Sequence, residues 1–180
     1  AAAVVVATDG PAAGRILPPA HAERFATRRW KGTRLVAFAA DRSPLTGRRL
    51  LVNADAAGAI DNLTVPSDIA AGYAPAGRSV VYASIRGDWN GVDDDLPEAV
   101  RRQAAGWFGA GTASWRHLAT VSVPLALPDE SPAARAVRPG SPRLARGLFL
   151  CGDHCATASI NGALASGRHC AEAIRATESA

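Results

Sequence analysis

The segment that most constrains the fold of this chain lies near its end, in the sequence Gly147-Leu148-Phe149-Leu150-Cys151-Gly152-Asp153. Its apolar residues predict a short buried strand that ends at Gly152-Asp153. A helix rich in small residues is predicted from about Ile160 to Ala176, with Ser159 as its N-cap. The face of this helix that is predicted to pack closely carries Ala163, Gly167, Cys170, Ala171 and Ile174. A carboxylate at the end of a strand, beside the amino end of a helix, is where an open α/β sheet holds a cofactor with hydroxyl and phosphate groups. The segment therefore predicts an α/β fold with a ligand site at this turn.

Residues 144–174 resemble the C-terminal signature of the flavoprotein superfamily of FAD-dependent amine oxidases, phytoene desaturases and protoporphyrinogen oxidases. The resemblance implies that Asp153 accepts a hydrogen bond from a ribityl hydroxyl of FAD. It also implies that backbone N–H groups around Asn161 and Gly162 face the flavin pyrimidine, where the helix dipole stabilises a negatively charged reduced flavin. The cofactor residues implied in this way are Gly152, Asp153, Ser159, Ile160, Asn161, Gly162 and Ala163.

Two further segments extend this resemblance. Residues 66–78 are similar to the Pro-Ser-x-x-Ala-x-x-Tyr-Ala-Pro-x-Gly connection of bacterial and plant amine-oxidase-like proteins. The apolar run from Val4 to Ala7 predicts a buried strand that leads through Thr8-Asp9-Gly10 into a loop. In the family, a strand that ends in Ala-Thr belongs to the cofactor domain, so Thr8 is a candidate cofactor neighbour. A plain strand end followed by a turn explains the same residues without a ligand.

Four central segments show the period-two, β-branched pattern of strands and predict an antiparallel or mixed sheet. They cover residues 34–39, 49–53, 59–65 and 79–85. Asp93-Asp94-Asp95 predicts the start of a helix that Gly109 closes, with an apolar stripe on the sheet and Arg101-Arg102 on its solvated face. A strand is predicted from Trp115 to Val123, and the prolines from Pro124 to Pro142 predict a long irregular return.

Together these elements predict an α/β fold with an α+β substrate part. By resemblance, it is the C-terminal half of a Rossmann-like FAD-binding domain with an inserted, β-rich substrate domain. The expected domains are 1–18 as a piece of the FAD-binding domain, 19–125 as the substrate domain with one helix, and 126–180 as the C-terminal piece. The chain starts without Met on a strand pattern, and it lacks the glycine-rich turn that would bind the FAD pyrophosphate. We therefore expect a fragment, whose N-terminal half is supplied in cis or as a second chain.

The resemblance implies an FAD-dependent oxidoreductase that transfers a hydride from a substrate C–H bond to flavin N5. FAD is expected to bind non-covalently, the substrate to be a small apolar molecule or amine, and the fragment alone to be inactive because its pyrophosphate site is missing. Trp115, His117 and His154 are candidates for the substrate side, and no catalytic base can be named. A half-buried strand with its polar residues outward also explains Trp115 and His117. The alternative function is a non-catalytic remnant or interaction module.

Charge and composition argue against other classes of protein. The formal charge of +4 comes from scattered basic residues, without the aromatic-interleaved basic stripe of a nucleic-acid-binding surface. No apolar run reaches the roughly 18 residues of a transmembrane helix. Three cysteines do not make a secreted disulfide framework, so reduced thiols inside a cell are expected.

A zinc protein is a weaker alternative and no metal is expected, because a tetrahedral site needs four converging ligands. The residues available for it are Cys151, His154, Cys155, His169 and Cys170.

Overall fold

The computed structural model describes residues 3–26, 29–55, 57–87, 89, 95–136 and 138–178. The strands are β1 (Val4–Val6), β2 (Trp30–Ala40), β3 (Leu50–Val52), β4 (Ile60–Thr64), β5 (Ser79–Ile85), β6 (Arg116–Pro128), β7 (Arg143–Ala145) and β8 (Leu148–Leu150). The helices are α1 (Gly10–Ile16), α2 (Pro19–Ala26), α3 (Pro66–Ile69), α4 (Leu96–Phe108), α5 (Pro132–Ala136) and α6 (Ile160–Glu178). The chain divides into two compact units: unit 1 comprises residues 1–31 and 124–180, and unit 2 comprises residues 32–123.

Unit 1 contains a three-stranded sheet with the order β1-β8-β7. β1 and β8 run parallel, with Val4 opposite Leu148 and Val6 opposite Leu150. β7 runs antiparallel to β8 and is joined to it through Gly147, whose φ of 73° is a conformation that glycine adopts without strain. The predicted strand before Gly152 is therefore confirmed, and its pairing with the start of the chain brings two distant segments into one sheet.

The expectation that the strand of Val4 to Ala7 is buried was wrong for most of that run. Val4 and Val5 are 53% and 42% exposed, and Val6 is buried. The reason is the position of β1 at the edge of its sheet, where no described residue pairs with its outer side. An apolar run shows that a strand can be buried, but it does not show that other residues cover it. Here Val4 and Val5 are not covered by the described residues.

Two short helices follow β1 where the sequence predicted a loop. The Asp9 side chain caps α1 by accepting the N–H of Ala12 at 2.8 Å. α1 packs on α2, and Leu17 and Phe25 are buried in one cluster with Leu150. Because α2 packs in this way, residues 19–31 group with unit 1.

Unit 2 contains a five-stranded sheet with the order β3-β4-β5-β2-β6. The pairs β3–β4, β4–β5 and β5–β2 are antiparallel, and all four strands predicted in this region are present. Alternate residues of β2 and β5 face α4, which ends at Gly109 as predicted. The buried core formed in this way includes Val36, Phe38, Ala40, Val81, Ala83 and Ile85 of the sheet and Leu96, Val100 and Ala104 of α4.

The ends of α4 and β6 differ from the sequence expectations. Asp93 and Asp94 lie outside the described residues, and Asp95 precedes α4 without a side-chain capping bond. Arg102 is exposed, but Arg101 is not simply solvated, since it pairs with Glu98 at 2.9 Å and donates to the Trp115 carbonyl at 3.1 Å. β6 continues through Pro124, where an irregular segment was expected, because an edge strand tolerates a residue without an N–H group. Among the described helices, none has the length and apolar character needed to span a membrane.

Candidate functional site

The candidate site lies at the carboxyl edge of the parallel pair β1 and β8. The N–H of Cys151 donates to the Val6 carbonyl at 3.0 Å, so the pairing continues to the last residue before the Gly152-Asp153 turn. Thr8 follows the carboxyl end of β1 and is exposed, with its hydroxyl donating to the Asp9 carbonyl at 3.1 Å. Parallel strands present their carboxyl ends at one edge, which is the common ligand-binding edge of open α/β sheets.

Gly152 is required at this turn by both backbone conformation and space. Its φ is 149°, and a Cβ atom there would overlap the imidazole ring of His154. Its N–H donates to the hydroxyl oxygen of Ser166 in α6 at 3.1 Å. The turn between β8 and the next segment is therefore fixed to the second turn of the helix that follows it.

The side chains of Asp153 and His154 differ in their exposure to solvent. The Asp153 side chain keeps 27% of its surface exposed, and one of its carboxylate oxygens lies 3.6 Å from Nδ1 of His154. His154 is 1% exposed, with its ring edge-on to Phe25 at a centroid distance of 5.4 Å. The structure thus places the candidate substrate residue His154 in the interior of unit 1 and leaves the Asp153 carboxylate accessible.

Ser159 caps α6 as predicted. Its hydroxyl accepts the N–H of Gly162 at 3.0 Å, and its carbonyl accepts the N–H of Ala163 at 3.0 Å. The N–H groups of Ile160 and Asn161, in the first turn, have no acceptor among the described residues. The cap therefore uses the N–H of Gly162, and the groups left for a ligand are those of Ile160 and Asn161.

The inward face of α6 differs from the one predicted. Of the five residues that the sequence predicts on this face, Ala163 and Ala171 are exposed. The buried positions of the first three turns are Gly162, Ser166 and Cys170, four residues apart. A Cβ at Gly162 would overlap the Thr157 carbonyl oxygen, so this glycine allows the helix to contact the preceding loop. The i, i+4 spacing of small residues was the signal that could have identified Ser166.

Glu130 holds the loop before α6 and was not found by sequence reasoning. Its Oε1 accepts the N–H of Ala158 at 3.2 Å and a hydrogen bond from the Arg138 guanidinium, while Oε2 lies 3.4 Å from Arg135. The Arg138 hydrogen bond is the main reason that the pKa of Glu130 lies below its usual value. Arg135 and Arg138 lie in the segment just after Glu130, but Ala158 is 28 residues away, so no local motif marks the contact of Glu130 with the loop before α6.

The cysteines and His169 do not form a metal site in the described part of the chain. No group of three or more His, Cys, Asp or Glu side chains there is arranged to hold a metal ion. Cys151 and Cys170 are buried with Phe149 where α6 packs on β8. Burial is also the main cause that raises the pKa of the Cys170 thiol. His169 is exposed and Cys155 is half-buried.

The two remaining substrate-side candidates lie in unit 2. Trp115 is 4% exposed and packs on Phe38 with a ring-centroid distance of 5.8 Å, so the core of unit 2 accounts for it. His117 is exposed on β6, with Nε2 3.0 Å from the Thr120 hydroxyl. The structure therefore brings Gly152, Ser159 and Gly162 together with their neighbours in unit 1, and it places Trp115 and His117 elsewhere in the chain.

Comparison with known proteins gives a family match and a set of similar folds. The family described as flavin containing amine oxidoreductase matches residues 1–175. No curated protein matches the chain. A protein from Exiguobacterium sp. 255-15 assigned as a protoporphyrinogen oxidase has a TM-score of 0.67 at 20% identity, over 98% of this chain and 41% of that chain.

Two amine oxidase structures are similar to the same extent. A putrescine oxidase with redesigned cofactor binding has a TM-score of 0.66 at 12% identity, over 98% of this chain and 43% of that one. Cyclohexylamine oxidase from Brevibacterium oxydans IH-35A has a TM-score of 0.65 at 14% identity, over 99% of this chain and 43% of that one. The mixed α/β fold is therefore that of these oxidases, and the chain spans less than half the length of each.

Proposed function

We propose, because the chain belongs to the flavin-containing amine oxidoreductase family, that it forms the C-terminal part of an FAD-dependent oxidoreductase. In this proposal unit 1 is the C-terminal half of a Rossmann-like FAD-binding domain, and unit 2 is the inserted substrate domain. When FAD is bound non-covalently, its flavin accepts a hydride at N5 from a C–H bond of a small apolar or amine substrate. The residues of this chain hold and orient the ribityl and pyrimidine half of that cofactor.

The observation that carries the proposal is that the Gly152-Asp153 turn is bonded to Ser166 of α6 and that residues 153–155 pack against this helix. The partly exposed carboxylate of Asp153 is suited to accept a hydrogen bond from a ribityl hydroxyl. The N–H groups of Ile160 and Asn161 are suited to donate to a carbonyl oxygen of the pyrimidine ring. The positive end of the helix dipole then favours negative charge at that ring.

Two features of the surface around this turn fit a flat, partly apolar ligand. A Cβ atom at Gly152 would overlap His154 and one at Gly162 would overlap Thr157, so both glycines are needed for the close packing of this turn and of the loop before α6. Ile160 and Leu164 are 82% and 68% exposed, one turn apart on α6, so they offer apolar surface that a ring system can cover. These residues are suited to bind the half of FAD that consists of the ribityl chain and the flavin ring.

α1, the helix that follows β1, is not suited to bind the pyrophosphate half of FAD. Its amino end carries the Asp9 carboxylate, which accepts the Ala12 N–H and repels a phosphate. We propose that a further segment, in the same polypeptide or as a second chain, supplies that half. The open edge of β1, with Val4 and Val5 exposed, supports this role.

Flavin fluorescence titration of the purified chain tests the proposal. We expect riboflavin and FAD to bind with similar, weak affinity, because the chain contacts only the portion that they share. ADP-ribose should not compete with either ligand. FAD should be lost on gel filtration, and substrate turnover should be absent in the chain alone.

The matched variants for this experiment are Asp153→Asn and Asp61→Asn. Asp153→Asn removes the charged acceptor at the turn and should weaken riboflavin binding about tenfold, as expected for a lost charge-assisted hydrogen bond. Asp61→Asn removes an exposed carboxylate of β4 in unit 2 and should leave binding unchanged. Equal competition by ADP-ribose, or wild-type affinity in Asp153→Asn, would contradict the proposed site. Absence of riboflavin binding at millimolar concentration would favour the interaction module, with the exposed apolar residues of β1 and α6 as its contact surface.

A further inference from the structure

A second candidate site lies in unit 2, on the side of the sheet that α4 does not cover. Phe38 and Val81 face the α4 core, so their neighbours Ala39 and Val80, which are opposite each other in the β2–β5 register, face the other way. These two residues form the floor of a cavity of about 670 Å³. We call it the Tyr73 cavity, because Tyr73 lines its wall. Its volume lies within the range of small-molecule sites, which is roughly 300–1,000 Å³.

The apolar wall of the Tyr73 cavity comes from the segment after α3 and from β6. Tyr73, Ala74 and Pro75 belong to the Tyr-Ala-Pro motif noted in the sequence, and Leu118 lies on the edge strand. Tyr73 and Leu118 are 59% and 45% exposed, so both have apolar surface free for a ligand. A bare aromatic ring and an aliphatic side chain in one concavity favour a ligand with an apolar body.

The charged residues of the Tyr73 cavity leave one positive charge uncompensated. Asp41, Arg78 and Arg116 line it. Arg78 forms an ion pair with Asp41, whereas Arg116 has no hydrogen-bond or ion-pair partner among the residues that the structure describes. A guanidinium group presents donors in a planar fork that matches a carboxylate. The cavity therefore favours an anion over a cation or a neutral molecule.

From this arrangement we infer that unit 2 binds a small carboxylate attached to an aromatic or aliphatic body. Arg116 binds the carboxylate, while Tyr73 and Leu118 contact the apolar part. The inference uses residues of unit 2 alone and does not depend on flavin binding. It assigns a ligand to the Tyr-Ala-Pro segment, which has no part in the proposed cofactor site.

Isothermal titration calorimetry of the full chain with three compounds of one carbon skeleton tests this inference. The compounds are phenylbutanoate, phenylbutanol and phenylbutylamine, which differ in the charge of one end. We expect phenylbutanoate to bind about tenfold more tightly than the alcohol, the factor given by one charge-assisted hydrogen bond, and the amine to bind most weakly. Added salt should reduce the preference for the carboxylate, because Arg116 is exposed.

Substitutions test which residue binds the carboxylate and which contacts the apolar part of the ligand. Arg116→Gln should reduce phenylbutanoate affinity to that of the alcohol, whereas Arg49→Gln should not change it. Arg49 is an exposed arginine just before β3, at the opposite edge of the sheet from β6. Tyr73→Ala should weaken binding of the carboxylate and the alcohol equally, and Tyr73→Phe should retain both. Equal affinity for the three compounds, an unchanged affinity in Arg116→Gln, or no binding of phenylbutanoate would overturn the inference.

Discussion

Ser166 accepts the backbone N–H of Gly152 at 3.1 Å, and this bond joins the second turn of α6 to the turn after β8. Ser166 is 9% exposed, so the bond is largely shielded from water. The distance between the Asp153 carboxylate and the first N–H groups of α6 therefore depends on a serine within the helix. Residues that touch no ligand can in this way set the geometry of the proposed cofactor site.

Replacing this serine should affect both stability and flavin binding. Ser166→Ala leaves the Gly152 N–H without its acceptor, and it should lower the free energy of unfolding by about 1 kcal/mol. Riboflavin should also bind more weakly, because the turn is no longer held to the helix. Urea denaturation and fluorescence titration measure the two effects.

The control for this change is Ser67→Ala in unit 2. The Ser67 hydroxyl accepts the N–H of Val80 at 3.1 Å, so its removal costs a similar bond. Stability should fall by a similar amount while riboflavin affinity stays the same. A Ser166→Ala variant with unchanged riboflavin affinity would show that the bond does not position the site.

Two glycines of α6 should respond in opposite directions to alanine. Gly162→Ala places a Cβ against the Thr157 carbonyl and should destabilise the protein by about 2 kcal/mol, the usual cost of overpacking. Gly167→Ala meets open space and should stabilise the helix by about 0.5 to 1 kcal/mol through its higher helix propensity. Thermal unfolding followed by circular dichroism distinguishes them. Equal shifts in the two variants would mean that Gly162 does not contact the Thr157 loop.

The carboxylate of Glu130 should make stability depend on pH on the acid side. Because the pKa of Glu130 is lowered in the folded protein, its stabilisation is present at neutral pH and is lost as pH falls through that lowered value. Glu130→Gln should therefore lower the melting temperature at neutral pH and have a smaller effect in strong acid. The measurement is the melting temperature across this pH range, with Glu23→Gln on the exposed side of α2 as the control. A difference that stays constant with pH would argue against a role for the charge.

The thiols of the folded chain should differ in reactivity. Burial raises the pKa of Cys170, so less thiolate is present at a given pH and access is limited as well. With iodoacetamide at mildly alkaline pH, we expect alkylation of half-buried Cys155 before that of Cys170 or Cys151. Peptide mass spectrometry assigns the modified cysteine, and denaturant should equalise the three rates. Alkylation of Cys170 at the same rate as Cys155 in the folded protein would show that α6 does not shield it.

Elements with a strong local pattern were predictable from the sequence. β5 has the predicted bounds, 79–85, because its side chains alternate and turn residues flank it. Gly109 marked the end of α4, and Ser159 marked the start of α6. The Gly152-Asp153 turn identified the family that the match over residues 1–175 shows.

What the sequence did not reveal depends on contacts between distant segments. Nothing near Glu130 indicates that it meets the N–H of Ala158, which is 28 residues later in the sequence. The exposure of Val4 follows from the place of β1 in the sheet, which no local pattern encodes. α1 was an exception, because Asp9-Gly10-Pro11 is a helix-start signal that the loop interpretation overlooked.

The parallel pairing of β1 with β8 also constrains the order of events during synthesis. Val4 cannot pair with Leu148 until the residues between them and β8 itself have left the ribosome. All residues of unit 2 are continuous and emerge earlier, so its sheet and α4 can assemble first. Until β8 appears, β1 is a nascent apolar strand without its partner, and chaperone binding to Val4–Val6 would protect it during that interval. The sheet of unit 1 is thus completed only after the whole of unit 2 has been synthesised.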